Sequence, residues 1–313
     1  MKKSFSKIQR PINQGDSPLK LFFLLVVSGF VLLFLFYLMT IFLFPSFFGK
    51  CVAVVEISGP LMVESVPSTL FSSSIAGSEE ISEKISSISE RPDIGAVVFV
   101  VNSPGGSVVA SREIYQSIDS LEIPKVAYFK EVAASGGYYI ATPADYIISE
   151  PYAITGSIGV ISQGIEYSTL LENLGINSTT LKTGEHKDIG SEMKPMEEEE
   201  KQIMQEILDI VFEDFKSVIL ENRKNKLDLS LFEQALDGRI MLGTQAKQVG
   251  LVDDLGTKQD AINKASELAG LGENPRTCSI TINSGEQGLF DMVSFFRNLF
   301  LSAESYGLQY SIK

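Results

Sequence analysis

A serine flanked by small residues is the first candidate for chemistry in this sequence. Ser135 lies in the run VAASGGYYIA, after a strand-like stretch and at the predicted start of a helix, where its hydroxyl would be open to a substrate. A serine that attacks a carbonyl needs a base to take its proton and N–H donors for the resulting oxyanion. Gly136 follows directly and would supply one such N–H. A helix N-cap is the alternative role for Ser135, and this run alone favours neither.

A second loop, VNSPGGSV, contains Gly105 and Gly106 between a β-branched run and a helical pattern. Paired glycines let backbone N–H groups come close to a bound group, and the N-terminus of the following helix favours developing negative charge. Gly106 is therefore a second candidate oxyanion donor. The loop lacks the lysine and hydroxyl ending of a P-loop and the spacing of a dinucleotide fingerprint, which leaves an ordinary tight turn as the alternative.

Two neighbouring residues, His186 and Lys187, are candidates for the base that the serine requires. They lie in the segment GEHKDIGSEMKPM, and His186 is the only histidine of the chain, which excludes most zinc-hydrolase sites. Histidine titrates near neutral pH, whereas a lysine serves as a base where burial lowers the pKa of its amine. The residues alone leave both bases open. Ser157, in a third loop TGSIGV, either has a structural role or positions a catalytic amine.

An uncharged run of 24 residues extends from Leu21 to Phe44. At about 1.5 Å per residue, a helix of this length spans a hydrocarbon core of roughly 30 Å, and it exceeds the apolar core of a cleavable signal peptide. Five basic residues and one acid precede the run, which places the N-terminus in the cytoplasm by the positive-inside rule. The sequence therefore predicts a cytoplasmic basic tail at 1–20 and a transmembrane anchor at 21–44. A buried helix of a soluble protein is the alternative.

The rest of the chain is strongly acidic. The whole chain has 26 basic and 39 acidic side chains. Without the five basic residues and the one acid that precede the uncharged run, 21 basic and 38 acidic side chains remain, which is a net charge of −17. Such a surface argues against nucleic-acid binding, which needs a basic footprint, and indicates solubility. The two cysteines, Cys51 and Cys278, have no metal-ligand spacing, and the sequence leaves open whether they form a disulfide.

Strand-like and helix-like patterns alternate after residue 50, which predicts an α/β fold. Ala96–Val101 is a near-continuous β-branched run, typical of a buried parallel strand. Glu197–Glu200 fall in the first turns of a long helix, where they complement the helix dipole rather than bind a metal. A further amphipathic stretch at 289–300 is predicted to pack on the core, on another subunit or on the membrane. The other predicted strands are Cys51–Ile57, Lys125–Phe129 and Tyr146–Ile148, and the predicted helices are Ser78–Glu90, Ser107–Leu121, one starting at Ser135–Ala141, Pro195–Asn225 and Ala261–Ala269.

The four segments VNSPGGSV, VAASGGYYIA, TGSIGV and GEHKDIGSEMKPM resemble those of the serine-type signal peptide peptidase (SppA) family, in the same order and at similar spacing. The resemblance covers roughly residues 51 to 270. It implies a fold of the ClpP/crotonase type, with a peptidase domain at 51–272 and a C-terminal extension at 273–313. It assigns the nucleophile, the general base, the residue that orients this base, and the two oxyanion donors to Ser135, Lys187, Ser157, Gly106 and Gly136. Short members resemble rings or domes in which serine and lysine meet across a subunit boundary, so the resemblance also implies a homo-oligomer.

Two departures from the family pattern lie near Lys187. His186 stands where short members often carry a tyrosine, and Lys194 stands where they often carry an arginine.

We expect a single-pass endopeptidase of the bacterial inner (cell) membrane, with its catalytic domain on the periplasmic side. It is expected to degrade apolar peptides such as cleaved signal peptides and to use neither metal nor cofactor. The alternatives are a ClpP-like protease that uses Ser135 and His186, a crotonase-fold acyl-CoA enzyme, and a non-catalytic membrane scaffold.

Overall fold

The computed structural model describes residues 18–43, 49–67 and 74–282, and in the first range it describes side chains from 22 to 39. The chain divides into two compact units, residues 1–49 and residues 50–313. Most of the predicted basic tail at 1–20 and the whole amphipathic stretch at 289–300 lie outside the described residues, so both stay predictions.

Helix α1 (Pro18–Leu43) is the described secondary structure of the first unit. Its 26 residues measure about 39 Å at 1.5 Å per residue. The side chains from Phe22 to Met39 are almost all exposed. Among the described residues, α1 is the one helix that is long and apolar enough to cross a membrane. Its bounds agree with the uncharged run at 21–44 to within three residues.

An eight-stranded sheet lies at the centre of the second unit. Its main order is β6-β5-β3-β2-β1-β8, and β4 lies between β3 and β7. Every pairing among these strands is parallel except that of β5 with β6. The α/β fold expected from the sequence is therefore confirmed. The strands are β1 (Cys51–Ser58), β2 (Ile94–Ser103), β3 (Lys125–Ala134), β4 (Tyr146–Ser149), β5 (Ile154–Gly156), β6 (Ile240–Leu242), β7 (Asp254–Leu255) and β8 (Thr277–Ile280).

Within the described residues of the second unit, each predicted helix forms, and shorter helices lie between them. Helix α6 begins three residues later than predicted because Glu197 is its N-cap, and the Glu200 carboxylate accepts a hydrogen bond from the Glu197 N–H at 3.0 Å. Glu198, Glu199 and Glu200 lie in the first turn, where they complement the helix dipole as expected, and Glu197 and Glu200 in addition cap the helix. The helices of the second unit are α2 (Ser78–Ser86), which continues into a 3₁₀ turn at Ser87–Glu90, α3 (Val108–Asp119), α4 (Gly136–Tyr139), α5 (Ser168–Asn173), α6 (Glu198–Arg223), α7 (Leu229–Ala235), α8 (Gly243–Val249) and α9 (Lys258–Leu268).

The sheet is buried on both faces, and β2 shows this most clearly. Alternate residues from Val97 to Val101 belong to one apolar core, together with residues of α2, α3 and α6. The intervening residues from Ala96 to Val100 belong to a second core, together with residues of α9. A strand that is covered on both faces needs an apolar side chain at every position, which explains the unbroken apolar run.

Strand β3 changes its neighbour along its length. Val126–Phe129 pair with β4, and Val132–Ala134 pair with β5, while β2 lies on the other side of the strand. The carboxyl ends of β2, β3 and β5 therefore lie side by side. The loops that follow them are the three glycine-containing loops. In open parallel sheets this edge is the usual place for a ligand.

A disulfide joins Cys51 to Cys278, with the two Cα atoms 5.9 Å apart. Cys51 opens β1 and is fully buried, and Cys278 lies in β8, which pairs with β1. The bond connects residues that are 227 positions apart in the sequence. The disulfide that the sequence left open is therefore formed, and it links two neighbouring strands of the sheet.

A buried ion pair ties the end of α6 to the sheet. Arg223 has no exposed side-chain surface, and its Nη1 donates to the Asp253 carboxylate at 2.8 Å. That carboxylate also accepts from the backbone N–H of Ile147, at 2.7 Å, and lies 2.9 Å from the Lys226 Nζ. Burial alone would raise the pKa of Asp253, but the hydrogen bond and charge of Arg223, followed by Lys226, lower it below its ordinary value.

We predict that Asp253→Asn lowers the free energy of unfolding by about 3–5 kcal/mol at neutral pH, because it leaves the buried Arg223 without its counter-charge. Because the folded-state pKa of Asp253 is lowered, its contribution is present above the ordinary aspartate value of about 3.9 and is lost as the pH falls below it. Denaturant unfolding at about pH 7 and about pH 3 measures both effects. The difference in the free energy of unfolding between wild type and Asp253→Asn should be smaller at about pH 3.

Asp254→Asn is the matched control, since Asp254 is the next residue and its pair with Lys247 is about half exposed. We expect this control to change stability by about 1 kcal/mol or less. Equal effects of the two substitutions would contradict the role given to the buried pair.

Candidate active site

Ser135 lies between β3 and α4 in a backbone conformation that non-glycine residues rarely adopt. Its φ is 53° and its ψ is −124°. Such conformations cost about 1–3 kcal/mol and persist only where the surroundings enforce them. Here the Ser135 N–H donates to the carbonyl of Gly156 at 2.8 Å, which fixes the end of β3 against β5. A serine on a strained strand-to-helix turn presents its hydroxyl outward, as the nucleophile of an acyl-transfer enzyme does.

The loop after β2 is held against this turn by the chain at Leu61. The Leu61 N–H donates to the Gly105 carbonyl at 2.9 Å, and the Leu61 carbonyl accepts from the Ser107 N–H at 2.8 Å. The buried Ser103 hydroxyl accepts from the Gly105 N–H at 3.1 Å. These bonds use the N–H groups on either side of Gly106. Within the described residues, the Gly106 N–H itself has no hydrogen-bond acceptor.

Close packing makes glycine necessary in both loops. Gly105 has a φ of +93°, and a Cβ atom there would lie 2.6 Å from the Gly136 nitrogen. A Cβ atom at Gly136 would lie 3.4 Å from the Gly106 nitrogen. The N–H groups of Gly106 and Gly136 therefore lie close to each other beside Ser135. In the described part of the chain the Gly136 N–H also lacks an acceptor, so both donors are available to a negatively charged oxygen.

A cavity of about 640 Å³ opens beside these residues. It is lined by four of the five site residues that the sequence predicted, namely Ser135, Gly106, Gly136 and Ser157. Like Ser135, Ser157 has a positive φ, of 50°, and its N–H donates to the Arg239 carbonyl at 2.8 Å. Its loop follows β5 directly, which places it on the strand next to that of Ser135.

Neither candidate base lines this cavity. Lys187 is exposed, and the one bond it makes within the described residues is from its backbone N–H to the Gly184 carbonyl, at 3.4 Å. The His186 Nε2 lies 3.8 Å from the Glu199 Oε1 and is likewise absent from the cavity wall. The single chain therefore assembles the serine, the oxyanion donors and Ser157, but it does not bring a base to the serine.

The segment that carries both bases has almost no packing of its own. From 159 to 199 no residue is buried, although the same stretch includes helix α5. We call residues 159–199 the arm. Several large apolar side chains on the arm are exposed by more than half of their surface, which is unusual for a segment that stands alone in water. They are Ile161, Ile165, Leu170, Leu174, Ile176 and Leu181.

The wall of the cavity was not predicted. One side of α6 forms much of it, and the Tyr139 hydroxyl donates to the Asp214 carboxylate at 3.2 Å on this wall. Burial, and then the neighbouring charge of Asp214, raise the pKa of Tyr139 far above its ordinary value, so the phenol stays protonated. The helical spacing of apolar residues on α6 is visible in the sequence, but spacing does not distinguish a cavity wall from a core. Among the described residues, no cluster of histidine, cysteine, aspartate and glutamate has the form of a metal site.

Comparisons with known proteins agree with this geometry. Residues 118–272 match the sequence pattern described as peptidase family S49. A protein of Methanocaldococcus jannaschii, provisionally named a protease, is 39% identical over 66% of this chain and 66% of its own length. A protein of Enterococcus faecium, provisionally named signal peptide peptidase SppA, is 36% identical over 69% of this chain and 62% of its own length.

A third relative, from Synechocystis and provisionally named a protease, is 36% identical over 72% of this chain and 80% of its own length. The chain thus spans about two thirds of the first two relatives and four fifths of the third. The matched stretch contains the loop of Ser135, the loop of Ser157, the arm and helix α6. The chain belongs to peptidase family S49, whose fold is of the ClpP-like type.

Proposed function

We propose that this protein is a membrane-anchored serine endopeptidase in which Ser135 is the nucleophile and Lys187 the general base. The observation that carries the proposal is the strained backbone of Ser135 beside two N–H groups that have no acceptor within the described residues. A strained non-glycine residue is retained where function requires it. A helix N-cap role is disfavoured, because the Ser135 side chain makes no capping hydrogen bond to α4.

The proposed reaction has two steps. Neutral Lys187 takes the proton from the Ser135 hydroxyl as its oxygen attacks a peptide carbonyl, and the amine leaves with a proton from the lysine. The N–H groups of Gly106 and Gly136 stabilise the oxyanion in each tetrahedral intermediate. A water molecule, deprotonated by Lys187, then cleaves the acyl-serine ester and restores the free serine. Ser157 orients the lysine amine from the neighbouring strand end.

A second copy of the chain is proposed to supply Lys187. The arm holds this lysine outside the cavity of its own chain and exposes large apolar side chains that need a partner surface. A neighbouring copy has such a surface at the cavity, where Ile210 of α6 lines the wall and is exposed by 72%. Ile207, three residues earlier on the same helix, is exposed by 51%. Head-to-tail contacts of this type give a ring when the rotation between neighbouring copies closes, which fits the homo-oligomer that the resemblance implies. Burial between copies would also remove water from the lysine.

The substrate is proposed to be an apolar peptide, such as a cleaved signal peptide. Most of the cavity wall beside Ser135 is apolar, and an apolar side chain of the substrate gains by leaving water there. The apolar part of this wall includes Val108, Tyr139, Leu208, Phe212, Phe215 and Leu236. The relative from Enterococcus faecium carries the name of a signal peptide peptidase.

The catalytic unit is proposed to lie on the outer side of a bacterial inner (cell) membrane, anchored by α1. The five basic residues that precede this helix favour a cytoplasmic N-terminus. The Cys51–Cys278 disulfide supports the same orientation, because disulfides persist in oxidising compartments outside the cytoplasm.

We predict that Ser135→Ala and Lys187→Ala each lower the hydrolysis of a fluorogenic apolar peptide by more than about 10³-fold, whereas His186→Ala keeps wild-type activity within a few-fold. The serine and lysine act as one unit, whereas the histidine only precedes the lysine in the sequence and takes no part in the proposed reaction. Because a lysine base works only when unprotonated, wild-type activity should fall as the pH is lowered.

The opposite pattern, with His186→Ala inactive and Lys187→Ala active, would assign the base to the histidine of a ClpP-like protease. Full activity in Ser135→Ala would rule out Ser135 as the nucleophile. A wild-type protein that does not hydrolyse the peptide at all would favour an acyl-CoA enzyme of the same fold. Circular dichroism of each variant shows whether a loss of activity is a loss of folding.

The oxyanion donors are tested through Gly105. A Cβ atom there would press on the Gly136 nitrogen and would sit on a residue with positive φ, so Gly105→Ala displaces both donors. We predict a fall in kcat of about 10²–10³-fold, measured with the same peptide. Gly49→Ala is the control, since a Cβ atom at Gly49 meets nothing within 4 Å. Wild-type kcat in Gly105→Ala would contradict the placement of the oxyanion hole.

A further inference from the structure

A cluster of charged side chains fixes the part of the arm that carries Lys187. We call this part, residues 184–191, the Lys187 loop. The Lys194 Nζ lies 2.6 Å from the Glu200 Oε1 and 3.4 Å from the Asp188 Oδ1. Lys182 precedes this loop in the sequence, and its Nζ lies 2.6 Å from the same Asp188 oxygen. Lys182 also donates to the Glu185 carbonyl at 2.6 Å. Lys194 therefore connects the residue next to Lys187 with the first turn of α6.

Glu200 is the fixed end of this cluster. Its side chain is only 3% exposed, and its second oxygen accepts from the Glu197 N–H at 3.0 Å. Helix α6, to which it belongs, is held in the core by Phe215, Ile219 and the buried Arg223. The carboxylate of Glu200 thus cannot shift without disturbing the start of α6, and it gives Lys194 a rigid anchor.

Asp188 is the end of the cluster that reaches the loop. The Ile189 N–H donates to the His186 carbonyl at 3.1 Å, and the Ser191 N–H donates to the Asp188 carbonyl at 3.0 Å. Successive turns of this kind move together, so the position of Asp188 sets that of the Lys187 backbone. No residue of the arm is buried, and the loop therefore has no apolar packing that could hold it instead.

We infer that Lys194, through its ion pairs with Asp188 and Glu200, is a positioning residue that holds the Lys187 loop in the geometry needed for proton transfer. The inference rests on the proposed function, in which Lys187 is the base, and adds to it the group that fixes this base. The cluster stays charged near neutral pH. The hydrogen bond from Lys194 lowers the pKa of Glu200, and those from Lys182 and then Lys194 lower the pKa of Asp188.

The test compares Lys194→Met, Lys194→Arg and Asp188→Asn in the full-length chain purified in detergent, with kcat and KM measured on a fluorogenic apolar peptide. We expect Lys194→Met and Asp188→Asn to lower kcat roughly 10- to 100-fold with KM within about twofold of wild type, since small displacements of a reacting group cost rates of this order. Lys194→Arg keeps both ion pairs and should restore kcat to within a few-fold.

Lys201→Met is the matched control. Lys201 pairs with Glu198 at the start of α6, and both side chains are more than half exposed. Within the described residues, neither side chain makes an ion pair or hydrogen bond to the loop. We expect wild-type kcat and KM from this variant. Lys194→Met leaves the buried Glu200 without its partner and could therefore unfold the start of α6. Asp188→Asn breaks the same link to the loop but keeps the Lys194–Glu200 pair, so it tests the inference without this risk. Thermal unfolding of each variant is recorded in parallel.

Wild-type kcat in both Lys194→Met and Asp188→Asn would overturn the inference, and so would a loss that falls entirely in KM. Lys187→Ala and Ser135→Ala, assayed in parallel, separate this outcome from failure of the proposed function. If Lys187→Ala is inactive while Lys194→Met is unimpaired, only the positioning role is wrong. If Lys187→Ala retains wild-type activity, the base assignment fails and the positioning role fails with it.

Discussion

The backbone of Ser135, held at φ 53° between two parallel strand ends, is the constraint on which the rest of the site depends. The Ser135 N–H is fixed by Gly156 of β5, and the turn after it leaves room only for glycine at position 105. Because β3 pairs with β5 at this end, the same contact also brings the Ser157 loop to the cavity. The hydroxyl, the two N–H donors and Ser157 are thus placed by the sheet.

The fold positions the proposed base, Lys187, in a different way. Lys187 lies on an arm of residues 159–199 in which nothing is buried, so its position depends on contacts outside the main core. Two kinds of contact are available to it. Within the chain, the charged cluster around Lys194 ties the loop to α6, and between copies the exposed apolar side chains need a partner. In the proposed assembly the site would form only between copies, and a monomer would not cleave peptides.

Local signals in the sequence were sufficient for strands β1 to β4 and for the three glycine-containing loops. The run at Ala96–Val101 identified a strand buried on both faces, and the glycines around Ser135 and Gly106 identified the turns. The short strands β5 to β8 were missed, since strands of two to four residues carry no clear periodicity. Pairing of Cys51 with Cys278, and the use of α6 as a cavity wall, depend on contacts between residues far apart in the chain, which no local pattern contains.

The central claim is that Ser135 of one copy works with Lys187 of another, and complementation between two inactive variants tests it most directly. Ser135→Ala retains the lysine and Lys187→Ala retains the serine, so co-expression of equal amounts allows mixed assemblies. The account predicts about a quarter of wild-type peptidase activity, because one in four random neighbour pairings combines an intact serine with an intact lysine. Co-expression of Ser135→Ala with the double variant should give none. A mixture as inactive as its two components would contradict the account.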